Sequence, residues 1–393
     1  MIYLLFLILL LWLSFYYDIS GRKRNKVLWE GFALVAFVLI AGLRWRLGID
    51  TTRYLDDFYY KVPSIDKFSF DDFTLWESPL YFLICSLVKS MGGRFFIIQI
   101  MHSLFVNVLI FKYIKKHSKY LFTCLFFYFV FCYFNYNMEI IRASFSIVIC
   151  LFANDYIMDK KWLKGYALYI VAFLFHYQAI FAMLMPLLFF LKLDYKGIVI
   201  LFAALIVGYV TSLQLEGYIK FFELIEKTGE KAVQYGESDT FGSRTLYIGN
   251  LVLITAPQLF TLFFSILYVK KNKYSADFAR LETFAMIGLL FLIMQTFIFI
   301  LYRIVDIYRI YFVIIYTEVF CSLAQKRNNT RILSWLMALI VFFPLFLSRF
   351  LSFQHNWYRY DPYSSVIERQ VDKHRELMYM EKEQTPPANI NQY

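Results

Sequence analysis

The chain has 393 residues, 60% of them hydrophobic, 21% aromatic and 18% charged, with a formal net charge of +11. A soluble domain of that size carries more charge and lacks repeated apolar runs of about 17–25 residues, so the composition excludes one. The bases sit in short clusters between apolar runs, where they act as topology signals; nucleic acid is not an expected partner.

The apolar runs are continuous and show no period-two alternation, which argues for helices over an outer-membrane barrel. The predicted fold class is all-α: a polytopic transmembrane helix bundle of about 10–12 membrane segments, re-entrant or short helices included.

Ile2–Tyr17 lacks a basic n-region and a cleavage site, so it is expected to be a retained span. Gly21–Lys26 holds four bases and no acid, which places that loop in the cytoplasm. Val27–Leu43 then returns outward and delivers the stretch GLRWRLGIDTTRYLDDF, Gly42–Phe58. Arg44, Arg46, Asp50 and Arg53 stand there among Trp45 and Tyr54 at a membrane boundary. Such charges are costly unless they act; interfacial anchoring by Arg and Trp is the competing reading.

The outer loop 44–77 carries five bases against seven acids. Ser78–Met91 is short, follows Pro79 and stops at Gly92-Gly93, so it is expected to be re-entrant. Phe95–Phe111 runs inward to Lys112, Lys115, Lys116 and Lys119. Leu121–Tyr136 goes out and Ile140–Ile157 comes back; Glu139 lies in the turn between them and Arg142 just inside the second helix. Gly165–Leu191 would be roughly 40 Å long as one helix, more than the bilayer core needs. His176-Tyr177-Gln178 interrupts it, and two short helices folded back there satisfy the charge rule.

Gly197–Leu213 goes out to a second outer loop, 214–245, with four bases, six acids and an amphipathic pattern. Leu246–Val269 returns. Thr283–Leu301 leads out to Arg303, Asp306 and Arg309; Ile310–Ala324 returns and Ile332–Phe350 goes out. The expected organisation is one transmembrane domain, 1–351, followed by a polar tail, 352–393, whose TPPANINQY end is predicted to be disordered.

The five cysteines lie in apolar segments without a C-x-x-C, as buried small residues do. The chain has no H-E-x-x-H, P-loop or G-x-G-x-x-G, so neither a metal nor another cofactor is expected. Parity of the spans gathers Arg44, Asp50, Glu139, Arg142, His176, Arg303, Asp306 and Arg309 on the outward side, which predicts one polar cavity. Arginines Arg44, Arg46, Arg142, Arg303 and Arg309 suit phosphate, because the guanidinium fork donates paired hydrogen bonds. A headgroup contact or an ion pair is the alternative for each, and Arg303 and Asp306 have helical i, i+3 spacing. Asp50 is the first candidate base for a sugar hydroxyl, or else the holder of an arginine; Glu139 is the second. His176 at a helix break is a base or phosphate donor, or a satisfied structural group. Trp45 and Tyr54 are candidates to stack on sugars, or members of the interface belt.

Arg44–Tyr54 resembles the R-x-R-x-G-x-D-T-x-x-Y signature of the EpsG family of bacterial exopolysaccharide membrane proteins, which look like Wzy-type polymerases. Glu77, Arg142 in IIRASFS, the basic DKKWLKGY, Phe175-His176, Arg303, Arg309 and Asp361-Pro362-Tyr363 look similar in order. Ile49 stands where a small polar residue is usual, and Tyr177-Gln178 where small residues follow the histidine.

The resemblance implies a glycosyltransferase of the bacterial cytoplasmic (inner) membrane, GT-C-like in architecture, with its active site facing outward. It would transfer a growing glycan from undecaprenyl pyrophosphate onto a lipid-linked oligosaccharide repeat unit, in O-antigen, capsule or exopolysaccharide synthesis. Asp50 and His176 would be catalytic and the five arginines would hold pyrophosphate. The partners would be the lipid-linked oligosaccharide and the bilayer, with a chain-length regulator and flippase of the same pathway alongside. A flippase for the same lipid-linked sugar and a non-catalytic assembly subunit are the rival readings.

Overall fold

In a computed structural model of the protein, residues 1–69, 78–192, 194–212, 248–265, 276–295, 301–325 and 331–383 are described. Glu77, the loop 214–245 and the TPPANINQY end lie outside them. The described residues form helices and turns without a strand; one isolated bridge joins Arg44 to Ser365. The fold is an all-α polytopic bundle, as the composition predicts. A helix satisfies its own backbone inside lipid, which an open strand cannot do. Ile2–Ile19, Phe95–His117, Ile141–Met158 and Ile332–Leu351 are long and apolar enough to cross a membrane.

The chain divides into two compact units, residues 1–183 with 349–393, and residues 184–348. The first begins with α1 (Ile2–Leu13), which continues through a π-helical stretch to Ile19, and α2 (Lys26–Gly42). A short amphipathic α3 (Ile49–Asp56) follows, then α4 (Pro79–Ser90), α5 (Phe95–His117) and α6 (Leu121–Tyr128). At roughly 1.5 Å per residue, α4 is too short to cross a bilayer core. Its Lys89 ammonium donates to the carbonyls of Phe58, Tyr59 and Val62 at 2.7–3.1 Å, so a cation closes the C-terminal end of the α3 segment.

The chain from α6 to α7 (Ile141–Met158) passes through two π-helical stretches, Phe129–Tyr133 and Asn135–Glu139. A buried polar triangle fixes the second. Asn107 of α5 donates to Asn137 Oδ1 at 2.7 Å, Asn137 donates to the Tyr128 hydroxyl at 2.8 Å, and that hydroxyl donates to Asn107 Oδ1 at 3.2 Å. All three residues are fully buried, and their mutual bonding offsets the cost of burying them. The triangle anchors the turn that ends in Glu139.

Gly165–Leu191 is broken where the histidine interrupts it. Helix α8 (Trp162–Phe175) ends at His176 and α9 (Ala179–Met183) starts three residues later. The Tyr166 hydroxyl, near the start of α8, donates to the Met183 carbonyl at 3.3 Å, so the chain folds back on itself.

The second unit contains α10 (Tyr195–Ser212), α11 (Ile248–Ser265), α12 (Ala276–Met294) and α13 (Tyr302–Ala324). Helix α12 packs on α13 through Phe284 and Tyr311, with ring centroids 4.5 Å apart. Gly288 lets the Tyr308 side chain approach the α12 backbone; a Cβ there would lie 2.7 Å from Tyr308 Cβ. Helix α14 (Arg331–Gln354) leads back to the first unit, where Trp357–Arg359 forms a single turn and α15 (Lys373–Glu383) closes the described chain.

Candidate functional site

The site is built where α2 ends. The residues after Gly42 gain their backbone partners from the far end of the chain. Trp45 N–H donates to the Ser364 carbonyl (2.8 Å), Gly48 N–H to the Arg359 carbonyl (3.1 Å), and Val366 N–H to the Leu43 carbonyl (2.8 Å). Arg375 reinforces this segment by donating to the carbonyls of Tyr358 and Pro362. The polar residues 357–379 thus pack as a clasp over the turn 43–48.

Gly48 has φ +86, and a Cβ placed on it would lie 2.1 Å from the Met138 carbonyl oxygen. Only glycine allows both the left-handed backbone and that approach. The approach brings the start of α3 onto the turn 135–139. Thr51 Oγ1 donates to the Met138 carbonyl at 2.6 Å. Glu139 Oε2 accepts from the N–H groups of Ile49 and Asp50 at 2.9 and 3.3 Å. A carboxylate from a distant turn therefore caps α3, in the position where the helix dipole favours an anion. Its other oxygen accepts from the Tyr360 hydroxyl at 2.7 Å, with Arg359 at 3.9 Å.

Glu139 is buried, and burial lifts its carboxyl to about 7, reinforced by the charge of Asp50 and opposed by Arg359 and Tyr360. Between the ordinary glutamate value of 4.5 and about 7, the folded state binds more protons at Glu139 than the unfolded state does. Folding stability attributable to this group is thus fully present below about 4.5 and declines as pH rises through about 7. Glu139→Gln is expected to remove that slope. Thermal unfolding in detergent between pH 4.5 and 7.5 checks it: wild-type Tm falls relative to the variant as pH rises, and parallel curves would show that Glu139 does not titrate there.

Arg44 is completely buried. It donates to the Ala41 carbonyl and to Thr51 Oγ1, and no carboxylate pairs with it among the described residues. Burial lowers its pKa to about 10, well above neutrality, so it remains a cation. It braces the turn and gives this end of the unit a fixed positive charge. Arg46 makes two parallel bonds to Glu376 of α15, Nε to Oε1 at 3.0 Å and Nη2 to Oε2 at 2.9 Å. That is the geometry in which a guanidinium holds a carboxylate or phosphate. Asp50 stands half-buried in the first turn of α3.

Arg142, the second residue of α7, lies over the Tyr54 ring at 5.1 Å and the Phe82 ring at 5.9 Å. Its Nε has no hydrogen-bond partner among the described residues. Tyr54 is 7% exposed, so its face serves Arg142 in this conformation. His176 is buried at the break, stacked on Tyr177 at 4.5 Å, and its Nδ1 accepts from the Gln178 N–H at 3.3 Å. In the neutral ring Nε2 then carries the hydrogen. Gln178 Nε2 approaches the Ala143 carbonyl at 3.4 Å, which ties the break to the residue after Arg142.

These contacts link Arg44, Arg46, Asp50, Glu139, Arg142 and His176 within the first unit. Arg303 and Arg309 belong to α13 of the second. Arg309 pairs with Asp306 at i, i+3, at 2.5 Å; Arg303 Nε lies 3.3 Å from the Tyr302 hydroxyl. Of the other aromatics, Tyr360 is 3% exposed and stacked on Phe353, so it is part of the Glu139 shell. Trp45 lines a cleft beside Arg46.

Sequence reasoning missed His102. It is fully buried on α5, 2.6 Å from Ser144 Oγ, and its Nδ1 has no partner among the described residues. A lone histidine in an apolar run carries no signal of its own; a serine two residues after Arg142 in the sequence was the available hint. Among the described residues no group of His, Cys, Asp or Glu is arranged to hold a metal ion.

The fold and this charged turn define a polytopic α-helical membrane protein with a buried polar centre at one end of its first unit. The EpsG family matches over residues 29–365, and the chain belongs to that family. Membership implies a polysaccharide polymerase-like membrane protein. Neither the curated proteins nor the solved structures returned a match.

Proposed function

We propose that the protein is a Wzy-type polymerase of the bacterial cytoplasmic membrane, acting on its outer side. The substrate is an undecaprenyl-pyrophosphate-linked oligosaccharide. The observation that supports this most is the assembly of Asp50, Glu139, Arg142 and a buried Arg44, which no carboxylate pairs among the described residues, at one short helix, in a chain of the EpsG family. In the reaction, the hydroxyl of an incoming lipid-linked repeat attacks the anomeric carbon of the growing chain. The bond from that carbon to pyrophosphate breaks, and undecaprenyl pyrophosphate leaves with the electron pair.

Asp50, less enclosed than Glu139, receives the hydroxyl proton, while Glu139 holds α3 in register. His176 is the alternative acceptor for that same proton. Arg142, with Arg46 once it is released from Glu376, binds the leaving pyrophosphate, and Arg44 adds fixed positive charge behind them. Purified protein in proteoliposomes, given only the lipid-linked repeat, is expected to produce a ladder of lengths and one undecaprenyl pyrophosphate per bond formed. Translocation of the substrate without any change in length would instead make it a flippase.

A further inference from the structure

A cleft in the first unit, beside the centre described above, collects hydrogen-bond donors that the protein leaves unsatisfied. Its lining includes Trp45, Arg46, Arg94, Gln99 and Arg369. The Trp45 indole N–H is buried and has no acceptor among the described residues. Gln99 is 3% exposed and its side chain has no hydrogen bond there either. The Trp45 N–H is closed off without an acceptor, a costly state, and with the Gln99 amide beside it the cleft points to an acceptor supplied from outside.

Three guanidinium groups define the charge of that acceptor. The Arg46 side chain is 4% exposed and commits Nε and Nη2 to Glu376, which leaves Nη1 outside the pair. Arg94, the residue before α5, is exposed and forms no ion pair among the described residues. Arg369 sits over the Trp45 ring at 5.4 Å. Among the described residues no carboxylate lines the cleft. A bare phosphate needs the arginines alone. An indole N–H, a primary amide and the Tyr59 ring beside them suit hydroxyls and a sugar face as well.

We propose that this cleft is a subsite for an acidic sugar, its carboxylate held by Arg46, Arg94 and Arg369 and its hydroxyls by Trp45 and Gln99. The inference rests on the reading that the protein handles a glycan, and it assigns the glycan a uronate-type residue. Glu376 already shows a carboxylate seated on Arg46.

The test uses the full-length protein in detergent and three probes: a hexuronic acid tetrasaccharide, its carboxyl-reduced neutral counterpart, and inorganic pyrophosphate. The uronate is expected to bind at least about tenfold more tightly than the neutral glycan, the scale of one charge-assisted contact. Arg94→Ala with Arg369→Ala, both at exposed positions, is expected to weaken it by at least about tenfold. Equal affinity for the two glycans, unchanged affinity in the double variant, or tight pyrophosphate binding with no uronate binding would each overturn the assignment. Failure of the polymerase reading is seen separately, as substrate that never lengthens in proteoliposomes, and it leaves these affinities untouched.

Discussion

Cells whose only copy carries Asp50→Asn are expected to make no long polymer while holding the protein at its normal level. The substitution keeps shape and removes the charge. Asp50 is half-buried and the α3 start remains capped by Glu139, while the attraction of one carboxylate for the helix dipole, about 0.3–1 kcal/mol, is lost. On the proposed mechanism the chemistry loses its proton acceptor, an effect on the order of 10²–10⁴ in rate. A gel of surface polysaccharide beside an immunoblot separates the two effects. Long polymer at wild-type abundance would remove Asp50 from the mechanism.

Gly48→Ala tests the architecture in place of the chemistry. Left-handed backbone costs a side-chain-bearing residue about 1–2 kcal/mol. The new methyl would also lie 2.1 Å from the Met138 carbonyl oxygen, which is backbone and cannot rotate away. The start of α3 must then leave the turn 135–139, and the bonds from Thr51 to Met138 and from Ile49 and Asp50 to Glu139 go with it. Loss of polymer together with a lower Tm in detergent, or a strongly reduced amount of protein in the membrane, is the expected outcome. Wild-type polymer and wild-type Tm would show that the turn tolerates displacement.

The transmembrane character of the chain could be read from its sequence because lipid imposes long apolar runs. The fold-back at His176 was also legible, since a run of that length exceeds one crossing and its polar triplet marks the break. The clasp was not. Residues 357–379 read as a solvated tail because they are polar, yet those polar groups meet carbonyls and an arginine more than 300 positions away. No local period reports such partners.

The same limit hid the part played by Glu139. Its position in an outer turn was visible, but its bonds depend on a glycine about 90 residues earlier and a tyrosine about 220 later, distances fixed only by tertiary packing. Among the arginines, spacing showed that Asp306 could pair along its helix; Arg303 and Arg309 lie three residues to either side of it, and spacing cannot choose between them.

The clasp also bears on when the protein becomes competent. Leu43, Trp45, Arg46 and Gly48 leave the ribosome more than 300 residues ahead of their partners Val366, Ser364, Glu376 and Arg359. Over that interval the nascent chain holds this turn without the bonds that shape it. A chain abandoned within that interval keeps the turn unfinished, because every bond of the clasp comes from residues not yet made.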